Sequence, residues 1–335
     1  MNKTLKQLCV LDGISGDEAT VRDFVISQIK DYCEYKVDNL GNIIAFKKGK
    51  NTPTKKVLID AHLDEVGLII THIESNGFLR FTTVGGIDTA AIMFRRVVIN
   101  GNVKGVIGGK PVHLCDGDER KKLPSVDSLY IDLGVSSKEE AEKLINIGDS
   151  AVMCCDYTAV GDKVLSKALD DRVGCAILID LLKSEAEYDF YASFSTQEEV
   201  GLRGAKVVAY SVNPDAAIVI DGTTAADISG VADSKKVCRQ GEGAVVSFMD
   251  GATNYDREYY KAALNCGVKS QSKCAVTGGN NAGAIHLSRS GVRTVALSVP
   301  CRYIHTAGST CDMRDVIAVR DLAKHMIKEI ASGKI

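Results

Sequence analysis

The chain has 335 residues, 45% of them hydrophobic and 25% charged, with a formal net charge of −2 at neutral pH. That length supports one large domain or two, with ample material for a core. The near-zero charge supplies neither the basic footprint of a nucleic-acid binder nor a polybasic membrane patch. No apolar run reaches spanning length and residues 1–12 lack a signal-peptide core, so a cytoplasmic location is expected, with no membrane and no nucleic acid as partner. Eleven cysteines, odd in number and without a Cys-x-x-Cys, are expected to be reduced thiols.

Along the chain, residues 17–33 predict an amphipathic helix, with Val21, Phe24, Val25 and Ile29 on one face. Strands are predicted at 42–46 and 56–61. From about Gly67 to Tyr157 short β segments alternate with glycines, the punctuation of a small barrel or sandwich. One helix is expected inside this stretch, opened by the capping-box pattern Ser137-Lys138-Glu139-Glu140. From Val164 onward helices (171–184, 202–209) and strands (189–195, 216–221) alternate. Helices near 255–265 and 282–290, a strand, and a closing helix at 314–331 follow. This is α/β alternation and predicts a largely parallel sheet interrupted by a β-rich insertion.

Four of the buried strands stop near residues that metals favour. The run 56–61 leads into His62 and Asp64, 190–196 into Glu198-Glu199, 216–220 into Asp221, and 294–300 toward His305. In open α/β sheets ligands bind outside the carboxyl ends of the strands. Two adjacent carboxylates after an apolar strand are costly to bring together unless a cation neutralises them. Asp64 is placed to accept the second ring N–H of His62. Asp170-Asp171 reads either as part of the same carboxylate-rich site or as a helix N-terminus with dipole-favoured acids. Asp221 reads as a ligand or as a turn cap before Gly222. His72, His113, His286 and His325 have no comparable context. No His-Glu-x-x-His helix and no Gly-x-Ser-x-Gly elbow occurs, so a helix-borne single-zinc protease and a serine hydrolase lack their anchors.

Together these segments resemble the M42 metallo-aminopeptidases, which include glutamyl and tetrahedral (TET) aminopeptidases. The matching stretches are Ala61-His62-Leu63-Asp64-Glu65-Val66-Gly67, Lys167-Ala168-Leu169-Asp170-Asp171-Arg172 and Gln197-Glu198-Glu199-Val200-Gly201-Leu202-Arg203-Gly204-Ala205. They continue with Asp221-Gly222-Thr223, Ala282-Gly283-Ala284-Ile285-His286 and Arg302-Tyr303-Ile304-His305. The insertion matches too, through Gly105-Val106-Ile107-Gly108-Gly109-Lys110-Pro111-Val112-His113-Leu114.

The resemblance implies an α/β fold of the zinc-dependent exopeptidase type, a mixed sheet flanked by helices with an inserted small β-barrel. The catalytic domain would comprise 1–66 and 158–335, and 67–157 would be the oligomerisation domain of a tetrahedral homo-dodecamer. It further implies two divalent ions per subunit (Zn²⁺, Co²⁺ or Mn²⁺). His62 and Asp221 would hold one, Glu199 and His305 the other, with Asp170 bridging and the Asp170–Asp171 peptide bond cis. Glu198 would be the general base for a metal-bound hydroxide attacking a peptide's first bond, and Asp64 would orient His62. The alternative is a related metal-dependent amidohydrolase or deacylase acting on N-acylated substrates. The chain differs from the common family pattern at Asn281 (usually Asp), Glu242 (often Lys) and Thr306 (usually Ser).

Overall fold

The computed structural model describes residues 1–335. Eight strands form one mixed sheet, in the order Glu34–Val37, Ile43–Lys47, Phe190–Ser195, Val57–His62, Ala216–Thr224, Arg293–Cys301, Ala244–Val246 and Ser270–Ser272. The four central strands, from Phe190–Ser195 to Arg293–Cys301, are mutually parallel, with Ser195 beside His62 and Asp221 beside Ser298. Their carboxyl ends therefore meet at one edge of the sheet. The expected parallel character holds in this centre and recurs only between Ala244–Val246 and Ser270–Ser272. Ile43–Lys47 runs antiparallel to Phe190–Ser195 and pairs by a short hairpin with Glu34–Val37, and Ala244–Val246 runs antiparallel to Arg293–Cys301.

The near-continuous apolar strands are explained by burial on both faces. Side chains alternate, so Val57, Ile59 and Ala61 join one core while Leu58 joins the other. The larger core packs the sheet against helices Asn2–Cys9, Ala19–Ile29, Leu169–Lys183 and Met313–Ala331. The smaller packs it against Arg203–Val212 and the single turn Ala282–Ile285. The helix expected at 17–33 is shorter, because the chain turns after Ile29 into the edge strand Glu34–Val37. The helix expected at 282–290 ends at Ile285.

The β-rich stretch closes into a six-stranded antiparallel barrel of Gly67–Ile73, Leu79–Val84, Tyr130–Asp132, Val103–Gly108, Arg96–Ile99 and Ser150–Met153, in that order around the ring. It has its own core of 15 buried residues, the independent burial that a closed ring without edges provides. Gly105 permits this closure: a Cβ there would stand 2.6 Å from Cγ2 of Ile131. The one-turn helix Lys138–Ala141 is capped by Ser137, whose Oγ accepts from the Glu140 amide. The Glu140 carboxylate reaches back to the Ser136 amide rather than to that of Ser137.

A third sheet, Thr158–Val160, Lys163–Ser166 and Ser309–Asp312, is linked to the carboxyl end of Arg293–Cys301 through the pairing of Arg302 with Thr310. It joins the segment leading to Asp170 to the hairpin that follows His305. Beneath it a buried ion network ties the amino terminus down. Lys167 donates to Glu65 (2.5 Å) and to the Leu11 carbonyl, and Arg172 donates to Glu65 (3.3 Å) and to the Leu8 and Gly13 carbonyls. Breaking a buried ion pair by removing one charge costs about 3–5 kcal/mol, because the partner charge stays buried. Glu65→Gln is expected to lower stability by about that amount in chemical denaturation; an unchanged midpoint would show that the network does not carry the fold.

Candidate metal centre

The edge where the parallel strands end gathers all seven residues singled out from the sequence. His62 closes its strand, and Glu198 and Glu199 follow Phe190–Ser195. Asp221 lies within Ala216–Thr224, and His305 sits in the turn after Arg293–Cys301. Asp170 enters from the side, at the start of Leu169–Lys183, and its peptide bond to Asp171 is cis. Gly222 leaves room for this approach, since a Cβ there would stand 3.1 Å from the Cβ of Asp170.

Asp170 stands at the middle of the cluster. Its Oδ1 lies 3.3 Å from Nε2 of His62 and its Oδ2 lies 3.6 Å from Nε2 of His305. Asp221 faces His62 on one side (3.8 Å), and Glu199 faces His305 on the other (3.2 Å). Donor atoms of His62, Asp170 and Glu199 fall within 4.8 Å of one another, and so do those of His62, Asp171 and Asp221. Asp171 is nevertheless spent on the main chain: its oxygens accept from the amides of His62 (3.2 Å) and Gly174 (3.0 Å).

The other ring nitrogens are held. Nδ1 of His62 faces the Asp64 carbonyl at 3.1 Å and the Asp64 carboxylate at 3.4 Å, so Asp64 orients the ring through both its main chain and its side chain. Nδ1 of His305 lies 2.9 Å from the carbonyl of Gly86, which the barrel contributes. Both arrangements suit a donated Nδ1–H and leave Nε2 free for a ligand role.

Asp64 does more than orient a ring. Its Oδ1 accepts from the Glu198 amide (3.0 Å), and its Oδ2 accepts from the Glu199 amide (3.1 Å) and from Oγ of Ser15 (2.6 Å). Glu18 accepts from the Gln197 amide at 3.1 Å, so the residue 13–18 segment clamps the glutamate turn. Ser15, Glu18 and Gly86 were not legible as site residues: two act on main-chain groups or a distant side chain, and the third acts through a carbonyl that any residue carries. Asp60 did carry a signal, as a charge inside an apolar strand. It is fully buried and accepts from Ser193, Ser195 and Asn281, so the Asn at 281 is used as a donor.

The electrostatics are those of a cluster short of positive charge. No Lys or Arg pairs with Asp170, Glu198, Glu199 or Asp221. Burial pushes Glu198 up to about 8, reinforced by the charges of Glu199 and Asp170. Burial likewise raises Asp221, with Asp170 and Asp171 adding to it. Burial also opposes the charge on Asp170, but hydrogen bonds from His305 and His62 outweigh it and hold this carboxyl well below the usual range. Contacts with Asp170 and Glu199 in turn raise His305 to about 11. A donor set of two imidazoles and three carboxylates, drawn together without a counter-cation, fits divalent metal ions of the Zn²⁺, Co²⁺ or Mn²⁺ type. Glu198 differs from its neighbour: its carboxylate makes no hydrogen bond or ion pair and lines a cavity of ≈ 460 Å³ in front of the cluster.

Comparison with known proteins agrees with this architecture. The sequence model described as M42 glutamyl aminopeptidase matches residues 41–322. A putative aminopeptidase of Acetivibrio thermocellus is 38% identical, covering 93% of this chain and 94% of its own. The lysyl aminopeptidase of Pyrococcus furiosus is 32% identical over 97% of this chain and 96% of its own. Among solved structures, an aminopeptidase from Desulfurococcus kamchatkensis superposes with a TM-score of 0.92 at 36% identity, covering 98% of this chain and 94% of its own. The TET1 peptidase of Pyrococcus horikoshii, described as assembling into a tetrahedron or a large octahedral shell, gives 0.84 at 34% identity over 96% and 98% of the two chains. Fold and site thus define a hydrolase of the aminopeptidase class. The chain belongs to the M42 family.

Asp64 serves four donors, whereas Ser15 contributes one of them. Asp64→Ala would leave buried amides unpaired at about 1–3 kcal/mol each, against about 1 kcal/mol for Ser15→Ala. Denaturation of the two variants should show a clearly larger loss for Asp64→Ala; equal losses would mean that the carboxylate is not the shared acceptor.

Proposed function

We propose that this chain is a dinuclear metal-dependent aminopeptidase that removes the first residue from peptides. The carrying observation is the division of the Asp170 carboxylate, one oxygen toward His62 and the other toward His305. In this reading His62 and Asp221 hold one ion, Glu199 and His305 the other, and Asp170 serves both. When bound, such a pair supplies Lewis acidity, polarising the scissile carbonyl and making a water acidic near neutral pH.

The chain's own residues do the rest. Glu198, uncommitted and facing the cavity, accepts the proton of the attacking water and passes it to the departing amine. Asp64 and the Gly86 carbonyl keep the two imidazoles in register. The free α-amino group of a peptide suits a strongly anionic site, which restricts cleavage to the first bond. Eleven free cysteines are consistent with a reducing cytoplasm. The barrel stretch, residues 67–157, is proposed as the insertion through which copies assemble into a tetrahedral dodecamer, admitting only short or unfolded peptides.

Three outcomes check this reading. After chelation and reconstitution, elemental analysis should approach two ions per chain, and amino-acid anilides should be cleaved while their N-acetyl forms are not; a firm limit of one ion would sink the dinuclear model. Glu198→Gln should keep both ions and lose roughly 10²–10⁴ in rate, the usual worth of a positioned general base, whereas Glu199→Gln should lose one ion. If the two variants exchange these phenotypes, their roles must be exchanged. Light scattering on the metal-replete protein should report a large assembly, and a monomer would contradict the shell.

A further inference from the structure

The cavity in front of the cluster holds one cation that nothing in the fold neutralises. Lys273 follows the short strand Ser270–Ser272 and is only 8% exposed, yet it lines the same cavity as Asp170, Glu198, Glu199 and Asp221. Its ammonium has a single partner, the Thr277 carbonyl at 3.4 Å, and makes no ion pair. An ammonium offers three donors, so most of its capacity is unspent. The ligand carboxylates across the cavity do not compensate it, since their contacts are with His62 and His305.

A buried charge without a counter-ion is costly, and here it opens onto a space of small-molecule size. The remaining wall is not that of a pocket for an aliphatic side chain. Only three of the seventeen lining residues are hydrophobic, and the others include Thr223, Thr277, Asn280 and Ser298. Such a wall gains little by enclosing a Leu or Phe side chain, and Lys273 repels a Lys or Arg. A carboxylate satisfies the ammonium and is in turn solvated by the hydroxyls and the amide.

We propose that Lys273 determines the specificity of this site, binding the side-chain carboxylate of an acidic first residue, Glu or Asp. Family membership does not decide the point, because the names of relatives refer to both lysyl and glutamyl substrates. The proposal rests on the aminopeptidase reading, with Lys273 recognising the side chain while the ligand cluster receives the α-amino end. Asp and Glu differ by one methylene, which the flexible lysine stem can follow.

The test compares kcat/KM for Glu, Gln, Leu and Lys anilides on the metal-reconstituted protein and on three variants. Wild type should favour Glu over its neutral isostere Gln by roughly ten- to a hundredfold, the worth of one charge-assisted hydrogen bond. Lys273→Gln should abolish that ratio, Lys273→Arg should keep most of it, and Lys273→Glu should shift preference toward the Lys substrate. Wild type that cleaves Gln, Leu or Lys as well as Glu overturns the proposal, whether or not the variants fold, and leaves the aminopeptidase reading intact. If no anilide is hydrolysed, that reading fails and calorimetry still decides the subsite. L-glutamate binding more tightly than L-glutamine, with the difference lost in Lys273→Gln, supports it; equal binding of the two overturns it.

Discussion

The rest of the structure depends on holding a group of buried carboxylates together without protein cations beside them. Asp170, Glu198, Glu199 and Asp221 converge within one cluster, and the only positively ionisable neighbours in contact are two imidazoles. Mutual repulsion in a medium of low effective dielectric works against such a grouping. The chain resists it by placing each acid on, or a few residues beyond, a rigid strand or helix. It has buried cations at its disposal, yet Lys167 and Arg172 go to Glu65, one residue beyond Asp64. Permanent counter-charges thus serve the scaffold, and the acidic cluster is left without one.

The local backbone carries the same signature. Ala168, Gln197, Leu202, Tyr303 and His305 all have positive φ although none is glycine. Each lies beside or within a segment that presents a member of the cluster. Such conformations persist where the surroundings over-determine them. Here the surroundings are the Asp64 and Glu18 carboxylates, which take the amides of residues 197–199, and the small sheet that ties the segment before Asp170 to the one after His305.

Much of the site was legible in the sequence because its residues obey a rule of position. His62, Asp221, the paired glutamates and His305 follow apolar strands, and parallel strands bring their ends to one edge. The central sheet was legible for the same reason, through runs buried on both faces. The short strands Glu34–Val37, Ala244–Val246 and Ser270–Ser272 toward the two sides of the sheet were not, since three or four residues are too few to display a period. Nor were Ser15 and Gly86, which contribute a hydroxyl and a carbonyl and owe their place to contacts across the fold. Lys273 was equally silent: a lysine in a polar stretch reads as surface, and only the fold shows it largely buried in the wall of the cavity.

The hydrogen bond from the His305 ring to the Gly86 carbonyl spans 219 residues, and the clamp from Glu18 to Gln197 spans 179. Order of synthesis gives these separations a consequence. A chain emerging from the ribosome builds its first strands, its barrel and most of its sheet while the last imidazole is still unmade. Until residue 305 has emerged, Glu199 and Asp170 lack the imidazole that faces them both, and the Gly86 carbonyl of the barrel has nothing to hold. Under the proposed ligand assignment, the nascent protein is inert toward its own amino terminus and toward the other polypeptides being made around it. Under that assignment the site is completed only with the final tenth of the chain, after most of the scaffold has formed.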